Sequence, residues 1–305
     1  MNLSNNIKNS AHTPINVTKE NISEVQLTEL LTPMTNVRLK HPLVHNITNY
    51  VTVNDCANIL LSIGASPIMS DDQAEVSEIT SICNALVINI GTLNARTIDS
   101  MYLAGKTATE LKHPIVLDPV GSGASNLRTD TARGLLEALN ITAIRGNISE
   151  VKSLTASHMK TQGVDANDLD AITEANLEQN LALLGEIART LATILVVTGR
   201  IDVITDGQTA YTIKNGHQNM KNITGTGCML SSVLGAFISA NPDQMLEASV
   251  CAVAMMGISG EKANAYCEQH KLGTSSMRTR LIDLMGTETI DAFKQAVKIE
   301  KYTLD

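Results

Sequence analysis

The chain has no tryptophan, and only two phenylalanines and five tyrosines in 305 residues. Successive aromatic platforms of the kind that hold single-stranded nucleic acid are therefore not expected. It also lacks any cluster of lysines and arginines, and its formal net charge is −8. An acidic chain without a basic patch is a poor partner for nucleic acid or an anionic membrane. There is no CxxC pair either: Cys56, Cys83, Cys228, Cys251 and Cys267 make an odd set at spacings unlike those of zinc sites. Such usage suits free thiols in a reducing cytoplasm, with four of the five read as core residues. No apolar run is long enough to span a membrane. The first ~25 residues are polar and Asn-rich, without the apolar centre of a signal peptide.

Two familiar nucleotide-binding patterns are missing as well. Gly105-Lys106-Thr107 has Ser100 where a P-loop needs its first glycine, and Gly121-Ser122-Gly123 has Asn126 where a dinucleotide fingerprint needs its third. Any phosphate site has to rest on a different local geometry.

What is present is an alternation of short apolar runs and longer helical stretches. Leu86–Ile90, Ile115–Leu117, Ile141–Ile144 and Ile194–Thr198 read as buried strands, each brief and without strict polar alternation. Residues 53–61, 98–111, 132–139 and 181–191 carry apolar positions at helical spacing. Strands alternating with helices predict an α/β fold whose mostly parallel sheet is covered by helices on both faces. Ile201–Thr205 and Thr209–Ile213 flank Asp206-Gly207-Gln208, a hairpin signal, so the sheet is expected to be mixed, with antiparallel strands toward one edge. From Met245 through Val297 the pattern is helical apart from a turn at Lys271–Ser275. With no repeat and no internal linker, residues 25–305 read as one domain, preceded by a mobile polar extension over residues 1–24.

Thr224-Gly225-Thr226-Gly227-Cys228 runs directly into a helical pattern at Leu230, Val233, Leu234, Phe237 and Ile238. Glycines at a helix start leave backbone N–H groups unpaired and pointing beyond the helix end, which makes an anion cradle. The same residues equally make a tight turn, with Cys228 as a small packed residue. Asp118-Pro119-Val120-Gly121 is an ordinary turn signal, yet an acid at the carboxyl end of a strand also suits a magnesium ion. Asn147 and Glu150 stand at capping-box spacing, while Glu150 can equally support a hydrated cation and the neighbouring Arg145 can grip a phosphate oxygen. His45-Asn46-Ile47-Thr48-Asn49 gathers hydrogen-bonding groups just before an apolar helix, as a cap or as a ligand contact.

In this order, HNITN at His45–Asn49, GASPIM at Gly64–Met69, GTL at Gly91–Leu93, DPVGSGAS at Asp118–Ser125, IRGNISE at Ile144–Glu150, VTG at Val197–Gly199 and TGTGC at Thr224–Cys228 resemble the hydroxyethylthiazole kinases of thiamine salvage. The resemblance runs from about Leu30 onward. It implies a ribokinase-like fold and transfer of the γ-phosphoryl group of ATP to the primary hydroxyl of 4-methyl-5-(2-hydroxyethyl)thiazole. By the same resemblance Gly225, Thr226, Gly227 and Cys228 form the catalytic segment, Arg145 and Thr198 contact ATP, and Met69, Gly225 and Asn46 contact the thiazole. Asp118 and Glu150 would hold Mg2+. The resemblance further implies a cytoplasmic homotrimer with active sites between subunits, and no nucleic-acid or membrane partner. A related vitamin or pyrimidine-alcohol kinase, and a binding protein that keeps the fold without turnover, are the competing expectations.

Overall fold

The computed structural model describes residues 15–155 and 171–305. Ten strands form one sheet: β1 (Val17–Glu20), β2 (Leu43–Ile47), β3 (Ser66–Ile68), β4 (Ala85–Asn89), β5 (Ile115–Asp118), β6 (Ala143–Gly146), β7 (Ile194–Val197), β8 (Asp202–Thr205), β9 (Thr209–Ile213) and β10 (Ile299–Leu304). Their spatial order is β1-β10-β9-β8-β7-β6-β5-β4-β2-β3. The segment from β3 to β7 is parallel, and β7 through β1 are antiparallel, which agrees with the mixed sheet expected from the hairpin signal.

The strands are apolar on both faces because both faces are covered. Val44, Val87, Val116, Ala143 and Val196 point into one core with α2 (Pro33–Lys40), α3 (Val53–Ser62), α9 (Thr226–Ala240), α10 (Met245–His270) and α11 (Thr274–Thr287). Their neighbours Leu86, Ile88, Ile115, Leu117, Ile144, Leu195 and Val197 point into a second core with α5 (Ala95–Leu111), α6 (Asn126–Ala138), α7 (Ile148–Thr155) and α8 (Leu177–Leu191). This two-residue alternation between faces makes a run such as Leu86–Ile90 continuously apolar. The remaining helices are α1 (Glu24–Leu31), α4 (Val76–Ile82) and α12 (Ile290–Ala296).

Three expectations need correction. Residues 1–14 of the expected extension lie outside the described residues, but Val17–Glu20 is an edge strand paired with β10, and α1 starts at Glu24. Cross-strand charges hold it there: Lys19 Nζ is 2.7 Å from Glu300, and Lys301 Nζ is 2.8 Å from Glu20. Such charges also blunt a sheet edge, and they hide it from a search for apolar runs. Second, His45-Asn46-Ile47 belongs to a strand rather than to a helix entry. Third, after the helical region, which ends as expected with Val297 as its C-cap, the chain returns as β10, a strand the apolar pattern did not mark.

β2 escapes detection because two of its five residues are polar and yet buried. His45 Nε2 lies 2.9 Å from the Ser70 carbonyl and Nδ1 2.9 Å from Thr80 Oγ1. Since a carbonyl only accepts, Nε2 carries a proton, and Nδ1 faces the Thr80 hydroxyl, which itself donates to the Val76 carbonyl at 2.7 Å, so the imidazole ties β2 to the loop after β3 and to α4.

Burial holds the His45 imidazole below its ordinary value of 6.5, against the Ser70 carbonyl and the nearby Glu75 carboxylate, which pull the other way. The unfolded chain therefore takes up the proton first as pH falls, and stability contributed by neutral His45 is present above about pH 6.5 and lost below it. The urea midpoint is expected to fall between pH 7.5 and 5.5, and to fall less steeply in His45→Gln. An equal slope in both proteins would contradict this assignment.

Candidate active site

The chain leaves β2 outward to the edge strand β3 and returns on the other side of β2 as β4. Ligands of open α/β sheets bind at such a reversal, beyond the carboxyl ends of the strands. Here the alternation of side chains has a direct consequence. Asn46, Asn89, Asp118, Arg145 and Thr198 share the parity of Val44, Val87, Val116, Ala143 and Val196, so all five lie on the face covered by α9. Asn89 and Asp118 are also partners in the β4–β5 register.

The N-terminus of α9 closes the top of this row. Gly225 is its N-cap with φ +88°, a left-handed conformation, and no side chain caps the helix. A Cβ at Gly225 would also collide with the Thr52 side chain. Both constraints demand glycine. The first-turn N–H groups of α9 are thereby left without a capping side chain, where an anion is favoured.

Asp118 is completely buried beneath this helix end. Its Oδ2 accepts from Ser231 Oγ at 2.7 Å and from Asn89 Nδ2 at 2.8 Å. Its Oδ1 has no hydrogen-bond partner, and the Arg145 guanidinium stands 3.7 Å away. Burial pushes the Asp118 carboxyl up, opposed first by Arg145 and then by Ser231 and Asn89, with Glu150 adding to the rise. Arg145 Nη2 in turn donates to Thr198 Oγ1 at 2.7 Å, so the two expected ATP contacts sit together at the ends of β6 and β7.

Cys228, half-buried in the first turn of α9, receives N–H groups from Asn49 at 3.2 Å and Asn89 at 3.3 Å. Burial and the Asp118 charge raise its thiol, and the amide contacts with the Thr52 hydroxyl oppose that rise. The other four cysteines are buried, as the sequence leads one to expect.

The structure separates the remaining expected residues. Thr226 and Gly227 lie with Cys228 in the first turn of α9, and Met69 is partly buried against the core on the same side of the sheet. Glu150 accepts from the amides of Gly121 and Asn147, each at 2.8 Å, while Asn147 Oδ1 receives the Glu150 amide at 2.9 Å. That is the capping box, extended to pin the loop after β5. Asn46 is 2% exposed. Its Oδ1 accepts from Ser232 Oγ at 2.8 Å, which makes it an anchor of α9 on β2.

Four residues of the site are absent from the motif reading: Asn89, Ser231, Thr52 and Arg128. Arg128 donates to the carbonyls of Val120 at 2.6 Å and Gly91 at 2.8 Å, stitching together the loops after β4 and β5. Asn89 left a signal, a polar residue ending an otherwise apolar strand.

Among the described residues, no group of three or more His, Cys, Asp or Glu side chains is arranged to hold a metal ion. The buried, unpartnered Oδ1 of Asp118 nevertheless fits a cation that keeps most of its water and binds through one carboxylate and substrate phosphates, as Mg2+ does. Glu150, with both oxygens on amides, would reach such an ion through water.

Gly227 is the most sensitive position in this arrangement. A Cβ there would stand 2.6 Å from Arg145 Cζ, inside the guanidinium. Alanine favours a helix over glycine by about 1 kcal/mol, so Gly227→Ala should leave the melting temperature within a few degrees of the parent. Displacement of Arg145 should lower kcat/KM by about 10²-fold, the cost of a misplaced catalytic group. Thermal unfolding and steady-state kinetics on one sample check both halves.

Sequence and structure comparisons identify the family. The profile of the hydroxyethylthiazole kinase family matches residues 34–290. A hydroxyethylthiazole kinase of Clostridium acetobutylicum is 51% identical over 267 residues, covering 88% of this chain and 97% of the relative. One of Ruminiclostridium cellulolyticum is 46% identical over 278 residues, covering 90% and 97%. The solved structure of a hydroxyethylthiazole kinase from Pyrococcus horikoshii superposes with a TM-score of 0.79 at 34% identity, covering 90% of this chain and 98% of that one. The α/β architecture expected from the sequence, a mostly parallel mixed sheet between helices, is the one found, and with a sheet, a glycine-led helix and a matching profile in agreement, the chain belongs to the hydroxyethylthiazole kinase family.

Proposed function

We propose that this protein phosphorylates the primary hydroxyl of 4-methyl-5-(2-hydroxyethyl)thiazole with ATP. Family membership supports the substrate, and one observation supports the chemistry: the uncapped N-terminus of α9 stands over a buried carboxylate and an arginine. Phosphoryl transfer requires positioning and neutralisation of charge more than covalent chemistry from the protein. The acceptor oxygen forms a bond to the γ-phosphorus, the bond to the bridging oxygen breaks with its electrons leaving on ADP, and the alcohol proton passes to a phosphoryl oxygen or to water.

Each residue has a task in that reaction. The amides of Thr226, Gly227 and Cys228 donate to the charge that develops on the transferring group, aided by the helix dipole. Arg145, oriented by Thr198, holds a phosphate oxygen. Gly225 admits the acceptor side of the site close to the backbone, and Met69 offers an apolar wall for a thiazole ring. Asp118 would hold Mg2+ through Oδ1, with Glu150 supporting its water shell; the ion supplies neutralisation of phosphate charge when bound.

The same reading includes a cytoplasmic homotrimer with sites shared between subunits. It is supported by Tyr50 and Val51, 77% and 59% exposed, directly beside Asn49. Large apolar side chains exposed next to a polar site suit coverage by a neighbouring copy. Sedimentation analysis of an active sample checks this, and a fully active monomer would exclude it.

Cys228 is not assigned as the base. An alcohol is far less acidic than a thiol, and a loose transition state needs little early deprotonation. Cys228→Ala should therefore retain activity within about tenfold, whereas loss of a general base costs about 10²–10⁴-fold.

The deciding assay is magnesium-dependent ADP formation with hydroxyethylthiazole, the hydroxymethyl-pyrimidine, pyridoxal and ribose, with each product identified by mass. Turnover of the thiazole alone is expected. Turnover of another alcohol alone would overturn the substrate, and no turnover would favour a binding protein.

A further inference from the structure

Asn89 makes four hydrogen bonds and uses every polar hydrogen it has. Its Oδ1 accepts from the Gly91 amide at 2.9 Å and from Asn49 Nδ2 at 3.1 Å. A backbone N–H can only donate, so this contact fixes which side of the carboxamide is oxygen. The two hydrogens on Nδ2 then point to Asp118 Oδ2 and to Cys228 Sγ. Asn49 repeats the pattern one step away: its Oδ1 accepts from Thr52 Oγ1 at 3.1 Å, and its Nδ2 serves Asn89 and Cys228. Asn89 is 2% exposed and lies below both groups.

We propose that Asn89 is a positioning residue for phosphoryl transfer, a single amide that sets the orientation of the Asp118 carboxylate and the Cys228 thiol together. The inference rests on the kinase reading above. By holding Oδ2, Asn89 and Ser231 turn the free Oδ1 of Asp118 toward Arg145 and the helix end. At Cys228 the amide hydrogens of Asn49 and Asn89 converge on Sγ and fix the position of the sulfur beside Asp118. The chemistry of the site depends on Asn89 through Asp118. No contact between Asn89 and substrate is required.

Two substitutions separate positioning from bulk. Asn89→Ala removes all four bonds, while Asn89→Asp keeps the shape and replaces the donor that faces Asp118 with a carboxylate oxygen. Both are to be measured alone and combined with Asp118→Asn, recording kcat, KM for the thiazole alcohol and the melting temperature. The expected result is a loss of about 10²-fold in kcat for Asn89→Asp, with KM changed less than about threefold. In the Asp118→Asn background the same change should cost less than about threefold more, because residues acting as a unit are non-additive. In Asn89→Asp with Asp118→Asn the donor and acceptor exchange places, so the double variant should melt above Asn89→Asp alone.

Full additivity of the kcat losses, a loss carried by KM, or unchanged kinetics in the Asn89 variants of an active wild type would overturn the positioning role and leave the kinase reading standing. A wild type that phosphorylates none of the four alcohols would overturn the kinase reading first, and this inference with it.

Discussion

The site is organised around one buried charge. Taking a carboxylate out of water costs several kcal/mol even after relaxation, and Asp118 lies at the carboxyl end of β5 with no exposed surface. Its neighbours answer that cost: Ser231 and Asn89 donate to one oxygen, and Arg145 supplies the opposite charge near the other. Each of these needs its own accommodation. Arg145 has room only because residue 227 is glycine, and Ser231 is in place only because α9 begins where it does. Oδ1 is left without a hydrogen-bond partner of its own.

The position of the helix end is set far from the chemistry. From Met229 to Ile238 every residue of α9 is buried, and the helix crosses β2, β4 and β5. Gly235 brings it close to the sheet, where a Cβ would stand 2.8 Å from Val87 Cγ2. Ser232 and Asn46 then fix its rotation against β2. A site built on a packed helix and on strand ends is held more firmly than one built on loops alone. The two loops that do contribute, after β4 and β5, are tied by Arg128 and Glu150 to their own supports.

Several polar residues near the site also fasten its frame. His45, Asn46 and Glu150 all have polar atoms engaged by neighbouring chain segments. A buried polar group must find a partner, so motif residues near an active site divide between those that serve the ligand and those that hold its frame. Asn89, outside those motifs, is satisfied in the same way, and it bonds both Asp118 and Cys228.

The sequence alone determined the α/β alternation, the mixed sheet with its hairpin, and the glycine-led start of α9, because these are local. A strand covered on both faces must be apolar throughout, and a helix that starts on glycines must expose its amides. β1, β2, β3 and β10 were not legible, since none is a continuous apolar run and their polar residues meet cross-strand charges or partners such as Ser70 and Thr80, distant in the chain. Tertiary structure alone decided that Asn46 faces Ser232 and that Glu150, beyond its legible cap, also holds the Gly121 amide. It also decided that Asn89, Asp118, Arg145 and Thr198 share one face at adjacent strand ends. That convergence depends on strand order and register, which bring together residues 89, 118, 145 and 198 through contacts no local pattern encodes.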